Sequence, residues 1–136
     1  MKIIQKLSDM IEEELEGACD YGKAAVKYKE ENPLLAKTFY DIATQELQHV
    51  TLLHEQVVKL IEEHRKTKGD PPASMQAVYD YLHEKQIEKA NKAKSYLATY
   101  RGQAYREPGA YAPGFVIAVF IASFEYKTAT DNYKCL

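Results

Sequence analysis

Hydrophobic residues recur at every third or fourth position from the start of the chain, which is the period of one face of an α-helix. The first stripe of this kind comprises Ile4, Leu7, Ile11, Leu15, Ala18, Gly22 and Ala25. The pattern predicts a first helix from about Lys2 to Glu30.

The sequence EENP separates this stripe from the next one. Asn32 is suited to cap a helix, and Pro33 is favoured in a first helical turn. We therefore predict a second helix from Pro33 to about Lys66. Because about three residues connect the two helices, they are expected to be antiparallel neighbours within a hairpin of residues 1–66. The apolar stripe of the second helix is predicted to comprise Phe39, Ala43, Glu46, Val50, Leu53, Val57, Leu60 and Ile61.

A second break, TKGDPPAS, precedes a third helical pattern over residues 74–101, with Ser74 as its expected cap. Its predicted stripe is Met75, Tyr79, Leu82, Gln86, Ala90, Ala93, Leu97 and Tyr100. Residues 102–112 are rich in turn formers and predict a linker. Residues 113–128 predict a short helix that is apolar nearly all round, so it should be buried or covered by a partner. The prediction is one all-α domain, an antiparallel bundle of three long helices and a short fourth one.

The composition fits a folded domain and excludes several kinds of partner. Of the 136 residues, 28% are charged and 46% are hydrophobic, and the net charge is −2 without a clustered basic face. We therefore expect no nucleic-acid partner. The two cysteines are far apart and no signal peptide is evident, which favours a reducing cytoplasm. The longest uncharged run, residues 108–124, contains two prolines and two glycines and is too short to span a bilayer.

Candidate chemistry lies on the predicted hairpin. Glu14 falls inside the apolar arc of the first helix, and Glu46 near the centre of the second arc, with His49 about 60° away on its flank. Glu46 and Glu14 lie at similar distances from the turn, so they can face one another. Carboxylates on an apolar stripe are costly, and a facing pair would repel unless one is protonated or a cation binds. Two carboxylates and an imidazole suit iron, manganese or zinc. The alternative is a polar cluster at the core edge, satisfied by tyrosine hydroxyls and lysines.

These residues resemble the ferritin-like superfamily, and most nearly its small rubrerythrin-like members of bacterial and phage genomes. Glu14, Tyr21 seven positions later, and Glu46-Leu-Gln-His49 carry the resemblance, which covers about residues 1–66. It implies a ferritin-like bundle and a di-iron site, with Glu14 as a terminal ligand, Glu46 as a bridge and His49 as a nitrogen ligand. It also implies ferrous-iron oxidation or peroxide chemistry, with Tyr21 near the metal.

The second half of the chain departs from this family pattern, since a complete di-iron bundle needs a further Glu and a further Glu-x-x-His. Asp80-Tyr-Leu-His83 is a shortened version in which Asp80 points away from the stripe, and Glu125 is not followed by a histidine. Either His83 or Gln86 completes the site within one chain, or a twofold homodimer supplies the three ligands twice. The lack of ligands in the second half favours the dimer. His83 is otherwise expected to be a histidine at the solvent edge.

Two further functions remain open on the sequence alone. One is a non-catalytic helical bundle with a degenerate metal site, used for interaction or assembly, because the segment GFVIAVFIASF needs a core or a partner such as another subunit. The other is a scaffold that associates with a membrane through the same segment.

Overall fold

The three long predicted helices are present in the computed structural model, which describes residues 2–103. Helix α1 spans Lys2–Tyr28, α2 spans Pro33–Lys68 and α3 spans Ala73–Tyr100, and no strand occurs in this part of the chain. The all-α class is confirmed. The predicted helix over residues 113–128 and nearly all of the linker lie outside the described residues, as do Glu125 and Cys135.

Local signals account for most helix ends. The Asn32 side chain accepts a hydrogen bond from the backbone N–H of Leu35 at 3.1 Å, so the predicted cap is confirmed. Helix α2 runs two residues further than predicted, to Lys68, and ends at Gly69, whose positive φ of 81° suits a glycine. The predicted cap at Ser74 is wrong. Helix α3 already begins after Pro72, whose fixed φ starts the first turn without a side-chain cap.

Helix α1 occupies the middle of the arrangement. It packs along both α2 and α3, whereas α2 and α3 pack on each other much less. Small residues allow the helices to approach closely, and the shared core contains Ile11, Leu15, Ala18, Ala43, Leu47, Val50, Ala90, Ala93 and Leu97. Contacts across the helices give their directions: α2 runs antiparallel to α1, as predicted, and α3 runs parallel to α1.

Two predicted stripes differ from the observed ones. On α2 the buried residues are Ala36, Ala43, Leu47, Val50, Thr51 and His54, so the buried face is turned away from Glu46. The reason is that α2 is apolar over a wide arc, and α3 covers only one side of it. On α3, Met75 and Leu82 are exposed, and the first buried residue is Gln86, which contacts Ser8 near the start of α1.

Candidate metal centre

Three side chains from the middle of the hairpin meet between α1 and α2. His49 Nδ1 lies 3.1 Å from Glu14 Oε2 and 3.4 Å from Glu46 Oε2. One ligand atom from each residue fits within a group whose members are all within 4.8 Å of one another. The i, i+3 spacing on α2 puts Glu46 and His49 on one side of that helix, and the antiparallel register brings Glu14 opposite them.

The group faces the outer side of the hairpin, away from α3. Glu12 and Glu16 both bind Lys89 of α3, and Glu14 lies about 160° from each of them around α1. On α2, the ring of His54 stacks on His83 of α3, and His49 lies about 140° from His54. The ligand atoms therefore open onto the face of the α1–α2 hairpin that α3 does not cover.

This position corrects the expectation that both carboxylates face the core. The side chains of Glu14 and Glu46 are 28% and 21% exposed, and that of His49 is 53% exposed. Glu46 is at the edge of the buried stripe of α2, and Leu47 and Val50 occupy its centre. The desolvation cost of the carboxylates is correspondingly smaller than for a core position, while their mutual repulsion remains.

The electrostatics of the group show two acids competing for one proton. Glu46 acts as the hydrogen-bond donor to Glu14, which raises the pKa of Glu46 and lowers the pKa of Glu14; burial raises the Glu46 pKa further. The hydrogen bond to Glu14, together with the charges of both carboxylates, raises the pKa of His49. The group thus attracts positive charge, which protons supply in the absence of a cation.

The surroundings of the group are partly apolar. Gly17 lies beneath the Glu46 carboxylate, so no α1 side chain separates the two helices there. Tyr21, which the resemblance implies to be near the metal, is two turns beyond Glu14 and stacks on Phe39 of α2 with ring centroids 6.0 Å apart. These contacts close the groove between the helices on one side of the ligands.

The structure does not bring the candidate ligands of α3 to this group. The ring of His83 is stacked on the buried His54, with centroids 5.1 Å apart. Gln86 is buried and donates to Ser8 Oγ at 3.0 Å, on the α3 side of α1. In residues 2–103, Glu14, Glu46 and His49 form the one group of three or more acidic, histidine or cysteine side chains close enough to bind an ion.

Two features of the described region were not apparent in the sequence. The first is the contact of Gly17 with Glu46, which glycine alone does not signal. The second is the stack of the buried His54 on His83. Burial, and secondarily the charge of His83, lower the pKa of His54 to about 4, so this ring is neutral near pH 7.

Comparisons with protein-family models, with curated proteins and with solved structures find no match to this chain. Among residues 2–103, no helix has the length and apolar character needed to cross a membrane.

Proposed function

We propose that this chain is a ferritin-like, rubrerythrin-like metal-binding protein in which Glu14, Glu46 and His49 bind iron. The observation that supports the proposal best is the compact group of one imidazole and two carboxylates, with ligand atoms within 4.8 Å of one another. Their separation suits a single ion at the centre of the group, and the donor set suits iron, with manganese or zinc as alternatives. The raised pKa values of Glu46 and His49 show that the group attracts protons. A metal cation that replaces these protons would stabilise the group.

The chain itself would contribute ligands, orientation and shielding. Bound iron would supply redox chemistry toward oxygen or peroxide, so iron oxidation or peroxide reduction is the proposed reaction class. His49 must be neutral and Glu46 ionised to act as ligands, and metal binding would therefore release protons. The Tyr21–Phe39 stack would limit water access from one side of the groove. A cytoplasmic location stays a prediction.

We further propose that a second copy of the chain completes the site. Three ligands leave positions open on a metal ion, and the open side of the group points away from α3, the third helix of the described residues 2–103. Apolar side chains surround it on this outer face, each within about 40° of Glu14 or Glu46 around its helix. They are the exposed Ile3, Met10 and Leu35 and the half-buried Tyr21, Phe39, Ile42 and Leu53.

A twofold arrangement of these faces would bury the apolar residues and bring six ligands to two metal ions. The same contact would place four carboxylates close together, which is costly without cations. Dimerisation and metal binding should therefore be coupled: metal favours the dimer, and the dimer raises metal affinity.

The test is the metal content of the full chain purified from iron-replete cells, beside Glu46→Ala. Glu62→Ala is the matched control, because Glu62 is an exposed carboxylate on the same helix. We expect about one iron per chain in the wild type and in the control, as six ligands for two metals imply, and little in Glu46→Ala. Wild-type protein without metal, or a Glu46→Ala variant with undiminished metal, would contradict the proposal.

A second candidate function is assembly without catalysis. The exposed apolar residues on the outer face favour it, because their burial against a partner is favourable whether or not a metal binds. Analytical ultracentrifugation of metal-free protein separates the two functions. A stable metal-free dimer that takes up no Fe²⁺ would favour assembly, and a dimer that forms only with metal would favour the metal site.

A further inference from the structure

The glycine beneath the Glu46 carboxylate is not required by the backbone. Gly17 lies in the interior of α1, where glycine is less favourable than alanine. The glycines with positive φ among residues 2–103 are Gly69 and Gly102, so the helical backbone at position 17 accepts any L-residue. A reason for glycine at this position has to come from its surroundings.

The atoms nearest to position 17 belong to the carboxylate end of the Glu46 side chain. A methyl group on residue 17 would lie 3.3 Å from Glu46 Oε1, 3.5 Å from Cδ and 3.6 Å from Cγ. The three nearest atoms thus all belong to Glu46. The oxygen that the methyl group would press on is Oε1, while the other oxygen, Oε2, is the one 3.4 Å from His49 Nδ1.

Gly22 provides a contrast one and a half turns further along α1. A methyl group there would lie 3.1 Å from Tyr96 Cβ and 3.6 Å from the Ala93 carbonyl oxygen of α3. Gly22 is fully inside the packing of α1 on α3, so its lack of a side chain serves the fold. At Gly17 the three nearest atoms belong to Glu46 of α2, so its lack of a side chain serves the position of a carboxylate.

We infer that Gly17 is a positioning residue for Glu46, an inference that rests on the proposed metal site. The bare backbone at position 17 lets the Glu46 side chain lie across α1 and hold its carboxylate beside Glu14 and His49. A methyl group at position 17 requires the carboxylate to shift by a few tenths of an ångström, away from its position beside the other two ligands.

The test compares Gly17→Ala with Gly22→Ala in the full chain, by anaerobic titration with Fe²⁺ and by thermal unfolding of the metal-free protein. For Gly17→Ala we expect Fe²⁺ affinity to fall about tenfold or more, as for other changes that reorient a ligand. Its unfolding temperature should stay the same or rise, because alanine is the better helix former. For Gly22→Ala the unfolding temperature should fall while the folded fraction keeps its Fe²⁺ affinity. Unchanged affinity in Gly17→Ala, or a joint loss of affinity and stability, would overturn the inference.

Crystal structures of metal-free wild type and Gly17→Ala keep this test separate from that of the metal site. If the wild type binds no Fe²⁺, the proposed function fails, and the position of the Glu46 carboxylate still decides the role of Gly17. We expect the carboxylate to move away from Glu14 and His49 in the variant. A carboxylate that stays in place would overturn the inference.

Discussion

The two sides of helix α1 carry acidic residues in very different settings. Toward α3, Glu12 and Glu16 share Lys89, a permanent cation that offsets one of their two negative charges. On the outer side, Glu14 has a second carboxylate, Glu46, and one imidazole as neighbours. The outer side therefore has only a titratable group in place of a permanent cation, so an added metal cation would stabilise it.

The two sides of α1 also differ in how well their apolar residues are buried. The side toward α3 is closed by alanines and by buried Ile11 and Leu15, whereas the outer side leaves Met10 38% exposed beside the carboxylates. A face that combines uncovered apolar residues with acids that lack a permanent cation suits a ligand and a partner together. The comparison teaches that a permanent cation beside the acids, rather than the number of acids, distinguishes a structural contact from a candidate site.

The largest expected effect separates the two sides by stability. Leu15→Ala should lower the free energy of unfolding by about 2–5 kcal/mol, because it leaves a cavity between α1 and its neighbours. Met10→Ala should change it by about 0.5 kcal/mol or less in the monomer. Denaturant unfolding at low protein concentration measures both. An equally large loss in Met10→Ala would mean that the outer side is already covered.

The next effect separates the two sides by metal affinity. Substitutions of residues that orient a metal ligand typically lower metal affinity by about 10–100-fold. Glu14→Gln changes a ligand itself, so it should weaken Fe²⁺ binding by more than this. Glu12→Gln, two residues away on the side of α3, should leave binding unchanged because Lys89 lies there. Anaerobic calorimetric titration of both variants is the measurement. Equal losses would show that net charge, and no defined site, attracts the ion.

A smaller effect is the pH dependence that the outer group should add. The raised pKa values of Glu46 and His49, whose ordinary values are 4.5 and 6.5, mean that these two side chains bind protons more tightly in the folded metal-free state than in the unfolded state. This contribution is full below the ordinary values and is lost as the pH rises through the raised ones. The buried His54 acts in the opposite sense, because its pKa of about 4 makes stability rise with pH up to its ordinary value of 6.5. The contribution of the outer group, measured as the difference between wild type and Glu46→Gln, should therefore fall as the pH rises above about 4.5, and Fe²⁺ affinity should rise over the same range.

The pH test uses unfolding and titration series on wild type and on Glu46→Gln. The variant should show a shallower pH dependence of stability, since it cannot take up the shared proton. Glu14 acts in the opposite sense, because its lowered pKa contributes stability that is lost as the pH falls below its ordinary value of 4.5. A pH dependence that is identical in both proteins would contradict the proton sharing.

The smallest expected effect concerns the side of α1 that faces α3. Lys89→Met removes both ion pairs of α1 with α3, and the side chains involved are 35–66% exposed. We expect a loss of about 1 kcal/mol or less in unfolding free energy, and no change in Fe²⁺ affinity. Thermal unfolding and titration check this. Lower metal affinity in this variant would show that the two sides of α1 are coupled.

The features that the sequence predicts well are the local ones. The cap at Asn32, the antiparallel hairpin and the meeting of Glu14 with Glu46 and His49 follow from spacings within one or two helices. The side of the hairpin on which they meet does not follow. It depends on where α3 packs. Lys89 of α3 binds Glu12 and Glu16, and this contact leaves Glu14 on the opposite side of α1.

The remaining differences have the same physical origin. Met75 and Leu82 keep a correct helical period but are exposed, because the level at which α3 becomes buried against α1 is a tertiary property. Gly17 carries no side chain from which a role can be inferred, and only the position of Glu46 reveals one. Sequence periodicity identifies an apolar arc, and the partner helices determine which part of it is buried.

The most direct test is the crystal structure of the full chain grown with Fe²⁺ under anaerobic conditions, with anomalous data collected at the iron edge. The account predicts an iron peak bonded to Glu14, Glu46 and His49, facing the same residues of a second subunit across a twofold axis. Absence of iron at these side chains would contradict it. Iron completed by His83 or Gln86 of the same chain would contradict the shared site.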